Sequence, residues 1–227
     1  MSRSIPIVIS SLALLFIVGG CETLDNTASQ TTGFFSRLGS TLSGHTPRKA
    51  AGNMEDPYFP DERREGINEL VKKDFGRRPP YTERYAQIAK ADNDWLVRAT
   101  AIRALNRSRD RTATPIFIAA LDDKNEQVRL EGAKALIHLP DDKAVTPLVR
   151  VVQDGNEYKD VRIAAAEALQ HYRNLEAARA LANSLSSRDF GIAWQSRQTL
   201  ILLTGQDLRY DEAAWLAYLT GPEKPFG

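Results

Sequence analysis

Three segments of this chain repeat one pattern at nearly equal intervals. They are WLVRATAIRAL at 95–105, EQVRLEGAKAL at 126–136 and KDVRIAAAEAL at 159–169. Their Val-Arg pairs begin at Val97, Val128 and Val161, which are 31 and 33 residues apart. Self-similarity at a period of 20–50 residues indicates a repeat protein, because each unit buries its apolar face only against its neighbours. The repeat therefore restricts the fold to a stack of similar units.

Each unit is predicted to be a pair of α-helices, of which the first carries the motif. The segments TPIFIAAL at 114–121 and TPLVRVV at 146–152 begin the second helices, since Thr suits an N-cap and Pro the first helical turn. No segment keeps the period-two alternation of a half-buried strand. Weaker copies around Gly66 and Ser196 bring the number of copies to five. The sequence thus predicts an all-α solenoid of about five helical hairpins over residues 57–227.

Small residues recur at one place in every copy of the motif. They are Gly66, Ala101, Gly132, Ala165 and Ser196. Stacked helices approach closely only where side chains are small. We therefore expect this position to lie between neighbouring units, with aliphatic residues such as Val128 and Leu136 filling the core beside it.

The arginine of the motif lies at a constant distance from an acidic residue. Arg98 and Arg129 follow Asp92 and Asp123 by six residues. For Arg162 the same count reaches Asn156, within a two-residue insertion that has Asp154 nearby. A guanidinium has five donors and suits carboxylates and turn carbonyls. We predict a structural ladder of Asp92, Arg98, Asp123, Arg129 and Arg162. The alternative is a row of arginines that binds an anionic ligand.

The combination of D-x5-R, Val-Arg, a small residue four after Val and Ala-Leu seven and eight after it resembles HEAT repeats. The resemblance is to the bacterial type also seen in phycobilin lyase-like proteins, and it spans about residues 60–220. It implies a right-handed α-solenoid whose concave face is lined by second helices, and a protein that binds other proteins. The segment LTGQDLRYDEAAWLAYL is similar to an end motif of bacterial HEAT-repeat proteins, which implies that Leu203, Tyr210 and Trp215 close the last repeat.

The N-terminus reads as a lipoprotein signal. Arg3 precedes an apolar run over residues 5–18, and Val-Gly-Gly-Cys ends it at Cys21, the one cysteine of the chain. This resembles the bacterial lipobox, which implies cleavage before Cys21 and lipid attachment to its sulfur. The alternative is an ordinary signal peptide with a chance cysteine. We predict a signal peptide at 1–20 and a lipidated, disordered tether at 21–56. Glu22 slightly favours the periplasmic side of the outer membrane.

Chemistry-bearing constellations are missing from the sequence of the repeat region. It has no P-loop, G-x-S-x-G, G-x-G-x-x-G or H-E-x-x-H segment. The net charge of +1 offers no global attraction to nucleic acid. We therefore expect a non-catalytic scaffold of the bacterial envelope that binds another protein, with no cofactor, metal or nucleic acid. Trp194 and Trp215 are the candidates for a binding edge. The alternative is an enzyme or enzyme accessory related to HEAT-like chromophore lyases.

Overall fold

The computed structural model describes residues 46–222 and 225–226, and all regular structure in them is helical. The eleven α-helices are α1 (Pro47–Met54), α2 (Pro60–Val71), α3 (Tyr81–Ala91), α4 (Trp95–Ser108), α5 (Thr114–Ala120), α6 (Glu126–His138), α7 (Val145–Gln153), α8 (Lys159–Ala168), α9 (Leu175–Asn183), α10 (Phe190–Thr204) and α11 (Glu212–Thr220). The all-α solenoid that the sequence predicts is confirmed. Its motif copies are α2, α4, α6, α8 and α10. No helix among the described residues has the length and apolar character that crossing a bilayer requires.

Short polar turns set where the motif helices begin. The Asp94 carboxylate accepts hydrogen bonds from the backbone N–H groups of Leu96 (2.9 Å) and Val97 (3.0 Å), so it caps α4. Asn125 caps α6 and Asp189 caps α10 in the same way. A side-chain oxygen at this position satisfies donors that have no partner inside the helix.

The helices form two layers. The even-numbered helices α2 to α10 stack on one another in order, and each packs against the odd-numbered helix that precedes it in the chain. The closest pairs are therefore α3 with α4 or α5 with α6, and not a motif helix with the helix that follows it. Three residues, Asp92 to Asp94, join α3 to α4, and a segment with a 3₁₀ turn at Arg111–Ala113 joins α4 to α5.

The core lies between the layers and along the stack. Val128, Ala135 and Leu136 of the motif are buried, as are the equivalent Val97, Val161 and Leu169. A Cβ on Gly132 would stand 2.9 Å from the Ala120 Cβ and 2.9 Å from the Phe117 carbonyl oxygen. The small residue therefore permits the close approach of α6 to α5.

The folded domain begins earlier than the sequence indicates. Residues 46–56, assigned to the tether, contain helix α1, whose Ala50 and Met54 are buried against α2. The Thr46 side chain accepts a hydrogen bond from the Lys49 N–H at 3.2 Å, and Pro47 opens the first turn. For this part the tether prediction is wrong. The predicted signal peptide at 1–20, Cys21 and the part of the predicted tether up to residue 45 lie outside the described residues.

Candidate functional site

The motif arginines lie along the turns that join each odd-numbered helix to the next motif helix. Nε and Nη2 of Arg98 donate to the two carboxylate oxygens of Asp123, both at 2.8 Å. Nη1 donates to the backbone carbonyls of Asp92 (2.8 Å) and Asn93 (3.3 Å) in its own turn. One side chain therefore joins two successive turns, with only 6% of it exposed.

Arg63 and Arg129 repeat this arrangement on either side. Arg63 donates to the Asp92 carboxylate at 2.8 and 2.9 Å and to the Asp56 carbonyl at 3.0 Å. Arg129 donates to the Asp123 carbonyl at 2.7 Å and to a carboxylate at 2.6 and 2.8 Å, which belongs to Glu157. The structure thus brings Asp92, Arg98, Asp123 and Arg129 together in three rungs, and it adds Arg63 and Glu157.

The fourth arginine departs from the pattern. Nε of Arg162 donates to the Val152 carbonyl at 2.9 Å, and no described residue accepts a hydrogen bond from its two terminal nitrogens. The turn that comes next has Ser187 where the earlier turns have Asp92 and Asp123. This equivalence rests on geometry, because each of the three side chains accepts a hydrogen bond from the backbone N–H two residues on.

The ion pairs shift the pKa of the three arginines and of Asp123. The hydrogen bonds to Asp92, Asp123 and Glu157 raise the pKa of Arg63, Arg98 and Arg129 above the ordinary value. Burial alone would raise the pKa of Asp123. The hydrogen bonds from Arg98 and from the Asn125 N–H outweigh burial and hold that pKa below the usual range. Arg98 and Asp123 therefore both stay charged at neutral pH.

A second candidate surface lies at the end of the stack. Phe190, Trp194, Arg197 and Ile201 follow one another at helical spacing on one face of α10, and we call them the stack-end surface. Phe190 is 68% and Trp194 46% exposed. The Phe190 ring packs 5.9 Å from that of Tyr210, and Arg197 lies over the Tyr210 ring at 5.2 Å while pairing with Asp207.

The repeat explains why this face is open. Trp194 is equivalent to Leu130 of α6 and Ile163 of α8. Leu130 is buried, and a Cβ on Gly191 of α10 would lie 3.0 Å from the Ile163 Cδ1, so Ile163 packs beneath α10. In the described part of the chain the even layer ends at α10, because α11 packs on α9. The stack-end surface is therefore the face that another motif helix would cover.

Trp215 has one of the two roles that the sequence suggests. Its side chain is fully buried, and its Nε1 donates to the Arg209 carbonyl at 3.0 Å. The ring meets Tyr218 edge-on, with 6.2 Å between the centroids. Trp215 therefore closes the last repeat from inside, as the resemblance implies, and the prediction that it forms a binding edge is wrong.

The described residues show no arrangement for metal chemistry. No group of three or more His, Cys, Asp or Glu side chains among residues 46–222 and 225–226 is placed to hold a metal ion. The His138 ring lies 3.4 Å from the Asn106 side-chain amide, and the His171 Nε2 lies 2.7 Å from the Ile137 carbonyl oxygen. Both histidines thus contact the preceding motif helix.

Comparison with known proteins gives the fold a family context. Residues 82–170 match the family described as HEAT repeats. The structure is similar to one in the complex of CpcE and CpcF of phycocyanin lyase from Nostoc sp. PCC7120, with a TM-score of 0.63 and 20% sequence identity. The match covers 78% of this chain and 71% of that chain. At this identity the likeness shows the fold alone.

Two further solved structures share the architecture. An engineered protein matches with a TM-score of 0.54 and 16% identity, over 79% of this chain and 91% of its own. Human deoxyhypusine hydroxylase in complex with glycerol matches with a TM-score of 0.50 and 18% identity, over 74% and 66%. A search among curated proteins gave no match. Residues 82–170 thus match HEAT repeats, and the described part of the chain has the helical-repeat fold of these structures.

Proposed function

We propose that this protein is a non-catalytic scaffold that binds another protein, held at a membrane of the bacterial envelope by a lipid on Cys21. The observation that carries the binding role is the exposed aromatic face of α10. An end unit of a repeat protein normally turns a polar face to water. Here a tryptophan and a phenylalanine occupy that face at 46% and 68% exposure.

The occupant that we propose is an α-helix of the partner protein, packed as the next motif helix would be. Every other stacking face in the even layer is covered by a helix of the following unit. The positions equivalent to Trp194 hold Leu130 and Ile163, which are apolar and lie under such a helix. Aromatic residues concentrate at the energetic centres of interfaces, while the Arg197–Asp207 pair suits a polar rim.

Changing Trp194 to Ala is expected to weaken partner binding at least about tenfold, because removing a central tryptophan costs more than about 1.4 kcal/mol. A photo-crosslinking amino acid at position 190 is expected to capture the partner in cells. The captured protein is then purified, and its Kd is measured for the parent chain and for Trp194→Ala.

The matched control is Trp95→Ala. Trp95 is 38% exposed, similar to Trp194, but it lies in the middle of the stack at the start of α4. It is expected to leave the Kd unchanged. If both tryptophans weaken binding equally, or neither does, the stack-end assignment fails. If the crosslinker captures this chain itself and light scattering gives the mass of a dimer, the occupant of the stack-end surface is a second copy of the chain and not another protein.

The lipid anchor is tested separately. The Val-Gly-Gly-Cys segment supports attachment at Cys21, and more than one acyl chain makes such an anchor stable. We expect metabolic palmitate labelling of the parent chain and its loss in Cys21→Ser. Labelling that persists in Cys21→Ser would exclude this anchor. Fractionation of inner and outer membranes checks the outer-membrane location.

An enzyme-accessory role is the second candidate. The likeness to a structure from the phycocyanin lyase complex favours it. The two roles differ in what a partner does, since an accessory changes the partner's turnover whereas a scaffold changes only its location. Measuring the captured partner's activity with the parent chain and with Trp194→Ala separates them.

A further inference from the structure

The last arginine of the ladder, Arg162, lies at the position equivalent to the other three, but no carboxylate among the described residues pairs with it. Arg63, Arg98 and Arg129 each direct Nε and Nη2 at both oxygens of one carboxylate. Arg162 instead uses Nε for the Val152 carbonyl. Arg162 is the only one of the four ladder arginines whose terminal nitrogens donate to no acceptor in residues 46–222 and 225–226. At the acidic position of the following turn the sequence has Ser187.

Arg162 lies in an open pocket at the surface. Gln153, Arg162, Asn183, Ser184, Ser186 and Ser187 line a volume of about 430 Å³. No acidic residue is in this lining, whereas Asp123 lines the pocket beside Arg98, and Asp154 and Glu157 line the pocket beside Arg129. A cationic group in a serine-lined pocket without a carboxylate is suited to an incoming anion.

We propose that the Arg162 pocket binds a carboxylate, which completes the fourth rung of the ladder from outside the chain. A carboxylate only accepts hydrogen bonds and matches the planar fork of a guanidinium. Ser187 Oγ accepts from the Asp189 N–H at 3.2 Å, which leaves its hydroxyl proton to donate to the ligand. The three complete rungs pair a guanidinium with a carboxylate at repeat-equivalent places through Nε and Nη2, whereas Nη1 and Nη2 are the donors that Arg162 offers to the ligand.

In the proposed scaffold the carboxylate belongs to an Asp or Glu side chain of the partner, and this part of the inference rests on the proposed function. Tyr158 lies four residues before Arg162 and is 59% exposed. Phe190, three residues after Ser187, is also part of the stack-end surface. An acidic residue next to apolar residues is therefore the sequence expected in the partner segment.

The first test supplies the carboxylate within the chain. Ser187→Asp in the full chain, solubilised in detergent, is expected to raise Tm by about 2–4 °C over Ser187→Asn, which has the same size without the charge. The gain is expected to disappear in the Arg162→Gln background. Circular dichroism shows whether each variant is folded. Arg162→Lys is the matched comparison, because lysine keeps the positive charge but lacks the planar fork of donors of a guanidinium. If Ser187→Asp melts no higher than Ser187→Asn, or if the gain survives Arg162→Gln, the inference is overturned.

The second test uses sodium acetate as the probe. In nuclear magnetic resonance titrations at constant ionic strength, acetate is expected to shift the Ser187 amide and Arg162 Nε signals saturably, and sodium chloride is not. Ser187→Asp and Arg162→Gln are expected to abolish the saturable shift. Inorganic phosphate that binds more than tenfold tighter than acetate would replace the carboxylate assignment with a phosphate site.

Neither test needs a partner protein. Their failure therefore removes the pocket without affecting the stack-end surface, and failure of the Trp194 comparison leaves the pocket in place.

Discussion

Replacing Arg98 with Met is expected to lower the free energy of unfolding by about 3–5 kcal/mol, the usual cost of breaking a buried ion pair. The Arg98 and Asp123 side chains are 6% and 16% exposed. Met keeps much of the apolar volume but leaves the Asp123 carboxylate without its cation and two turn carbonyls without a donor. Urea unfolding followed by circular dichroism at 25 °C measures the loss.

The control for this change is a neighbouring ion pair that is exposed to solvent. Arg150 pairs with Asp122, which precedes Asp123, but these two side chains are 58% and 61% exposed. Arg150→Met is expected to change stability by less than about 1 kcal/mol, since exposed ion pairs contribute little. Equal effects of the two variants would contradict a structural ladder. A stable Arg98→Met protein that has lost anion binding would support the alternative of an anion-binding arginine row.

The repeat period predicted the fold because it is carried by many residues at once. Val97, Val128 and Val161 each start the buried face of a motif helix, and a pattern repeated three times tolerates local exceptions. The ladder was predictable for the same reason wherever the spacing between aspartate and arginine stayed at six.

The sequence could not identify Glu157 because the two-residue insertion alters the turn. Asp154 there accepts from the Asn156 N–H at 2.9 Å, as Asp123 does from Asn125, but the acid that reaches Arg129 lies three residues further on. Spacing alone cannot say which of two nearby carboxylates the longer turn directs inward. An acid inside the insertion was the available signal.

Two predictions were wrong for a different reason: that Trp215 forms a binding edge, and that the tether extends to residue 56. Whether a tryptophan is core or surface depends on which helix covers it, and the packing of α11 on α9 is a tertiary contact. The short helix α1 buries only Ala50 and Met54, so its apolar signal is weak. Thr46 and Pro47 mark its beginning, a signal that becomes decisive only when α2 provides a surface to pack on.

Changing Gly66 to Ala is expected to separate α1 from α2. A Cβ at this position would lie 2.4 Å from the Met54 backbone nitrogen and 2.5 Å from the Ala50 carbonyl oxygen. Both atoms are backbone, so no side chain can rotate away, and overpacking of this kind costs about 1–3 kcal/mol. Because α1 contributes only two buried side chains, we expect it to detach while the remaining repeats stay folded. Trypsin cleavage after Arg48 and Lys49 is then expected to become at least about tenfold faster. A tenfold rise in the population of detached α1 corresponds to a loss of about 1.4 kcal/mol.

The matched control is Gly52→Ala, a helical glycine within α1 itself. No heavy atom lies within 4 Å of a Cβ placed there. Alanine is expected to stabilise α1 by about 0.5–1 kcal/mol, because glycine is the poorer helix former, and to slow the same cleavage. The two substitutions are chemically identical, so opposite effects on trypsin cleavage can come only from packing. If Gly66→Ala leaves the cleavage rate unchanged, α1 does not pack on α2, and residues 46–56 return to the tether.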